Sequence, residues 1–163
     1  MLGKKKDKEL AKKKDTSLST KDETSLTNVN YQRDRLYKKG INLMADEKLE
    51  EAVRNFEMIL RADPNDVEAM LKLGYSRFHL EDHSEAMRVY DKILDIDVTN
   101  PEAWNLKSLV NYEKKNYAKA LDCAEKAIDS DPTYGMAWYN KACYLSMLNQ
   151  VPDSLEALKR SIE

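Results

Sequence analysis

The chain has 163 residues, 34% of them charged, with ample Leu, Ala, Met, Ile and Tyr to bury in one core under a polar surface. Four glycines and four prolines are few for the turns of an all-β protein, and the Ala, Leu, Glu and Lys content favours helices. The net charge of -2 hides an asymmetry: residues 1–30 hold eight lysines against five acids, leaving an acidic body of 19 basic and 24 acidic side chains that lacks the basic excess of a nucleic-acid reader.

Residues 1–30 divide into a lysine-rich stretch, KKKDKELAKKKD, and a Ser/Thr-rich one, TSLSTKDETSLTN. Their composition predicts a disordered tail, acting as a linker or as an electrostatic tether to an anionic surface, nucleic acid or membrane. No run approaches the roughly 18 apolar residues of a membrane span. The start also lacks the apolar core of a secretory signal, so a cytoplasmic location is expected. Cys123 and Cys143, without a C-x-x-C pair, read as small core residues.

From Tyr31 onward the sequence repeats every 34 residues: Gly40 returns as Gly74, Ala52 as Ala86 and Ala120, Trp104 as Trp138, and Pro64 as Pro132. Units fall at 33–66, 67–100 and 101–134, with an incomplete fourth at 135–163. Each reads as two helices. The first helices are expected near 33–45, 67–80, 101–114 and 135–148, and the second near 50–62, 84–96, 118–130 and 153–162. Asp63-Pro64 and Asp131-Pro132 break second helices, because proline lacks an amide proton and disfavours helical geometry in the residue before it. Pro101 instead opens a helix that Asn100 can cap.

Unit two carries Met70, Leu73-Gly74, Ala86 and Tyr90; unit one carries Leu36, Gly40, Ala52, Phe56 and Pro64; unit three carries Trp104, Ala120, Ala127 and Pro132. This pattern resembles the tetratricopeptide repeat, and unit four, through Asn140 to Leu145, resembles the closing repeat of small archaeal and bacterial members. The resemblance implies an all-α, right-handed superhelical solenoid of antiparallel hairpins, with about four repeats, over residues 31–163. Small residues at the crossing let two helices approach closely while large ones fill the gap between hairpins. Departures are Lys39, Lys107 and Lys141 in place of leucine, Arg77 and Asn111 in place of an aromatic, and Ser154 at a small apolar position.

In this family the first helices line a concave groove through positions 2, 5, 9 and 12 of each unit. On this chain the last three positions select Tyr37, Ile41 and Met44; Leu71, Tyr75 and Phe78; Asn105, Leu109 and Tyr112; then Tyr139, Cys143 and Ser146. Spacings of four and three put each set on one helical face. The mostly apolar set implies a scaffold or adaptor that binds an amphipathic helix or an apolar peptide of another protein, with tyrosines as anchors.

Chaperone-binding members clamp a terminal carboxylate with Lys, Asn and Arg. The matching positions here are Tyr37, Ile41, Lys72, Glu102 and Leu106, or one unit on, Leu71, Tyr75, Leu106, Met136 and Asn140. The clamp is missing, which speaks against capture of a chaperone tail.

The alternative function is self-association, as a homodimer through the last repeat, where Leu155, Leu158 and Ile162 lack a covering helix. No catalytic constellation, cofactor motif or metal motif is present. His79 and His83 lie four apart, with His83 in the expected turn and no third ligand near in sequence, so they read as a surface pair.

Overall fold

The computed structural model describes residues 28 to 162, and these form eight helices and no strand. The first, α1, is described from residue 28 to residue 45. It is followed by α2 (Leu49–Ala62), α3 (Val67–His79), α4 (His83–Ile96), α5 (Pro101–Glu113), α6 (Tyr117–Ser130), α7 (Gly135–Met147) and α8 (Val151–Arg160). Odd and even helices pair as hairpins, and each hairpin packs on the next. The molecule is an all-α helical repeat solenoid.

Three expectations are corrected. Residues 28–30, assigned to the tail, are helical, because Asn28-Val29-Asn30-Tyr31 holds no proline or glycine to stop the helix. His83 is the first residue of α4, not a turn residue, since the Asp82 carboxylate caps that helix by accepting from the Glu85 amide at 3.3 Å. The last helix starts at Val151 rather than 153, with Pro152 in the first turn where a missing amide proton costs nothing. The remaining tail, residues 1–27, lies outside the described residues, and so does its role as a tether.

The loops repeat as faithfully as the helices. Every first helix ends on a left-handed residue that is not glycine: Glu47, Glu81, Lys115 and Asn149, at φ of 58–61°. The next amide reaches back to close the helix: Lys48 to the Leu43 carbonyl at 2.8 Å, and Asp82, Asn116 and Gln150 to Arg77, Asn111 and Leu145 at 2.9 Å. Asp63, Asp97 and Asp131 each accept from the backbone two residues on, at 2.9–3.0 Å, which bends the chain into the next repeat. There Asp66 and Asn100 accept from Ala69 and Ala103 at 2.9 Å and start α3 and α5. Trp104 and Trp138 donate their indole N–H to the Val98 and Pro132 carbonyls at 2.8 and 2.9 Å, tying each loop to the repeat after it.

Within hairpins the core sits at the helix crossing. A Cβ on Gly40 would lie 2.6 Å from the Phe56 ring, and one on Gly74 would collide with the Tyr90 ring, so these crossings admit only glycine. The substituted positions are also accommodated. Lys107 pairs with Asp91 and lies 5.2 Å from the Trp104 ring, and Lys141 pairs with Glu125 at 2.9 Å and lies 5.6 Å from Trp138. Arg77 reaches Glu57 at 2.7 Å, and Ser154 satisfies its hydroxyl on the Ala142 carbonyl at 2.8 Å.

Candidate functional site

The N-terminal halves of the first helices are joined by polar bonds. Arg33 grips Asp66 with two nitrogens, at 2.8 and 3.1 Å, and reaches Glu68 at 2.5 Å, while its guanidinium lies 4.9 Å from the Tyr37 ring. Burial and a hydrogen bond to Glu68 push the Tyr37 hydroxyl up to about 12, so it stays a donor. The hydrogen bond from Arg33 holds the Glu68 carboxyl below the usual range. Burial alone would raise the Asp66 carboxyl, but bonds from Arg33 and the Ala69 amide outweigh it and hold it below its ordinary value.

Further along, Lys72 lies 3.6 Å from Glu102. Asn140 donates to the Asn105 side-chain oxygen at 2.8 Å. These bonds link α1 to α3, α3 to α5 and α5 to α7. They form a polar ledge along one edge of the face that the first helices share.

The C-terminal halves supply a different surface. Ile41, Met44, Phe78, Leu109 and Tyr112 are half-buried against the core, as is Tyr37. Tyr75 stands out at 38% exposure, and Tyr139, in the N-terminal half of α7, does so at 52%, with Met136 one turn before it. The ten expected groove residues therefore divide. Leu71, at 8% exposure, and Asn105, at 2%, lie inside the stack and offer no contact area, because the first packs in the core and the second is held by Asn140. Cys143 is half-buried and Ser146 exposed.

The sequence reading missed Arg33 and Glu68, and named Glu102 only as a position where the carboxylate clamp is missing. A signal for two of them was present, since Asp34, Glu68 and Glu102 recur on the 34-residue register at position 2 of successive units.

The expected histidine pair stays at the end of this face. The His79 ring lies 4.3 Å from the Tyr75 ring, tilted by 51°, and Phe78 lies between it and His83. Among the described residues no three His, Cys, Asp or Glu side chains group as a metal site. No described helix is long and apolar enough to cross a membrane. A separate cleft of about 370 Å³ lies between α1 and α2, lined by Val29, Leu36, Met58 and Ile59 with Arg33 and Asp66 at its rim.

Tetratricopeptide-repeat models match residues 43–110, 101–134 and 123–156. No curated protein matches the chain in sequence. Among solved structures, MamA is 25% identical with a TM-score of 0.65, over 76% of this chain and 72% of that one. TTC0263, a thermophilic repeat protein of Thermus thermophilus, is 18% identical with a TM-score of 0.72, over 80% and 73%. The first repeat domain of Spaghetti (RPAP3), bound to the HSP90 peptide SRMEEVD, is 15% identical with a TM-score of 0.66, over 72% and 94%. The matched models run almost without a gap through the hairpins described above, and this chain is a tetratricopeptide-repeat protein.

Proposed function

We propose that the protein is a non-catalytic adaptor of the cytoplasm that grips an amphipathic segment of another protein on the face formed by α1, α3, α5 and α7. The carrying observation is the pairing of two surfaces on that face. Exposed Tyr75 and Tyr139, with half-buried Phe78, Leu109 and Tyr112 around them, suit an apolar stripe. The ledge of Arg33, Glu68, Lys72 and Glu102 suits the polar flank of the same segment. Tyrosines bury large area at low entropic cost, which makes them efficient anchors.

An acidic chaperone tail, of the kind in the Spaghetti complex, fits poorly. Lys72 is the one lysine at the clamp positions, and it is occupied by Glu102. Selecting peptides from a random library on the immobilised protein tests the reading. Selected peptides should be amphipathic and should bind Tyr75→Ala and Tyr139→Ala at least tenfold more weakly, the loss typical of an anchor residue. Undiminished affinity for both variants would reject the groove.

A second reading, self-association through the last repeat, is favoured by the exposed apolar face of α8.

A further inference from the structure

The 34-residue register sets the cleft between α1 and α2 apart from the same place in the later repeats. Met58 corresponds to Lys92, Lys126 and Arg160, and Val29 corresponds to Asp63, Asp97 and Asp131. In repeats two and three the lysine closes over what lies beneath it. Lys92 donates to the Pro64 carbonyl at 2.9 Å, and the Lys126 ammonium lies 4.8 Å from the Trp104 ring. The aspartate bends the chain by accepting from the backbone two residues on.

Repeat one does neither. Val29 lies within α1, Met58 has no charge to offer, and the two are 55% and 51% exposed. Leu36 stands where Trp104 and Trp138 carry a bulky ring. Two positions that are charged in every later repeat are therefore apolar here, and both line one space of about 370 Å³ together with Leu36 and Ile59. At the rim Arg33 is already bonded to Asp66, so an apolar side chain can enter without stranding a charge. Asn28, Asn30 and Gln32 line the same space with amides that can both donate to and accept from a peptide backbone.

We propose that this cleft is the docking site of the chain's own N-terminal segment, with Leu18 as the seated side chain. The inference goes beyond the groove reading and concerns a different surface. The segment joins the fold at Asn28, itself a lining residue, so its leucines are delivered to the mouth of the cleft. Leu26 is separated from α1 by Thr27 alone, too little for a chain reversal, which takes about four residues. From Leu18 the intervening residues 19–27 can span up to about 30 Å, which leaves room to turn back. Leu18 is also flanked by the uncharged Thr16, Ser17, Ser19 and Thr20, whereas Leu10 has Glu9 beside it and would bring a carboxylate to an apolar cleft. A tether this short gives an effective concentration on the order of millimolar, so one leucine and a few backbone bonds suffice to populate the contact, while a free partner would have to displace it.

Methyl–methyl nuclear Overhauser effects in the full 163-residue chain, labelled at Met, Leu and Val, test this. Contacts from Leu18 to Met58 and Val29 are expected, unchanged on dilution, as a contact within one chain requires. Leu18→Asp should erase them and shift the Met58 and Val29 signals, whereas Leu26→Asp should leave them in place. Met58→Lys should also erase them with the helical circular dichroism intact, because repeats two and three carry lysine at that position. Met58 and Val29 signals indifferent to Leu18→Asp would overturn the proposal, as would contacts from Leu10 or Leu26 in place of Leu18. Contacts that fade on dilution would give the cleft to the segment of a second copy and reject docking within the chain. A cleft that responds only to an added peptide of another sequence would make it a partner site and reject it equally.

Discussion

Repeats two and three close the same helix crossing with rings drawn from different places. In repeat two, Gly74 on α3 faces Tyr90 on α4, and the ring fills the space that the glycine leaves. In repeat three the equivalent pair is Ser108 and Ala124, which carries no ring. The space is taken by Tyr144 of α7, whose ring packs against Ala120 and Ala124 and whose hydroxyl lies 2.9 Å from that of Ser108. At this crossing repeat two is thus complete in itself, while repeat three borrows its ring from repeat four. A period in the sequence does not oblige each unit to be self-sufficient, and here the borrowed ring welds the last two hairpins into one cooperative block.

The largest test of that difference is Tyr144→Ala. Truncating a buried aromatic costs about 3–5 kcal/mol, and the loss should fall on repeats three and four together. Hydrogen exchange should show α5 to α8 opening as a unit while α2 to α4 stay protected. Gly74→Val probes the self-contained crossing. Its side chain would push into the Tyr90 ring and should destabilise by about 1–3 kcal/mol, read from urea midpoints.

The junctions between repeats differ too, and acid separates them. Repeats one and two are joined by Arg33 with Asp66 and Glu68, whereas the buried bonds between three and four, beneath the exposed Lys141–Glu125 pair, are between neutral groups, Asn140 with Asn105 and Tyr144 with Ser108. The Asp66 and Glu68 carboxyls are held below their ordinary values in the folded protein. Their contribution is therefore complete above the unfolded carboxyl range and is lost as pH falls through the lower folded values. Asp66→Ala should cost about 1–2 kcal/mol at neutral pH through the lost cap and ion pair, and the gap to the parent should narrow at a pH well below the ordinary carboxyl range. An undiminished gap at that pH would refute the ionic origin.

The smallest contrast is between two hydroxyls. Tyr144→Phe loses the bond to Ser108 and should cost about 1 kcal/mol. The buried Tyr90 hydroxyl has no partner among the described residues, so Tyr90→Phe should be neutral or slightly stabilising.

Much of the fold was legible in the sequence because it is local and repeated. The 34-residue period, the prolines after Asp63 and Asp131, and the cap at Asn100 marked helix ends to within two residues at nearly every boundary. What escaped were features with no local signature. Glu47, Glu81 and Lys115 adopt left-handed geometry although they are not residues that favour it, since the closing bond to the preceding helix holds them there. Tyr144 reads as one more aromatic on a first helix, and only the absence of a ring at Ala124 hints that it moves inward.

The candidate site was legible as a face but not as a surface. Spacing placed Leu71 and Asn105 beside Tyr75 and Tyr139, yet core packing buries the first, the bond from Asn140 holds the second inside, and the two tyrosines stay exposed. Pairings such as Arg33 with Glu68 and Lys72 with Glu102 span about one repeat and depend on how closely successive hairpins approach.

The central claim is that this face holds a partner segment, and amide NMR of the protein titrated with the tightest library-selected peptide tests it most directly. The account predicts shifts concentrated on α3, α5 and α7 around Tyr75, Leu109 and Tyr139. Shifts confined to the α1–α2 cleft around Val29 and Met58, or to the opposite face around Arg61 and Arg88, would contradict it.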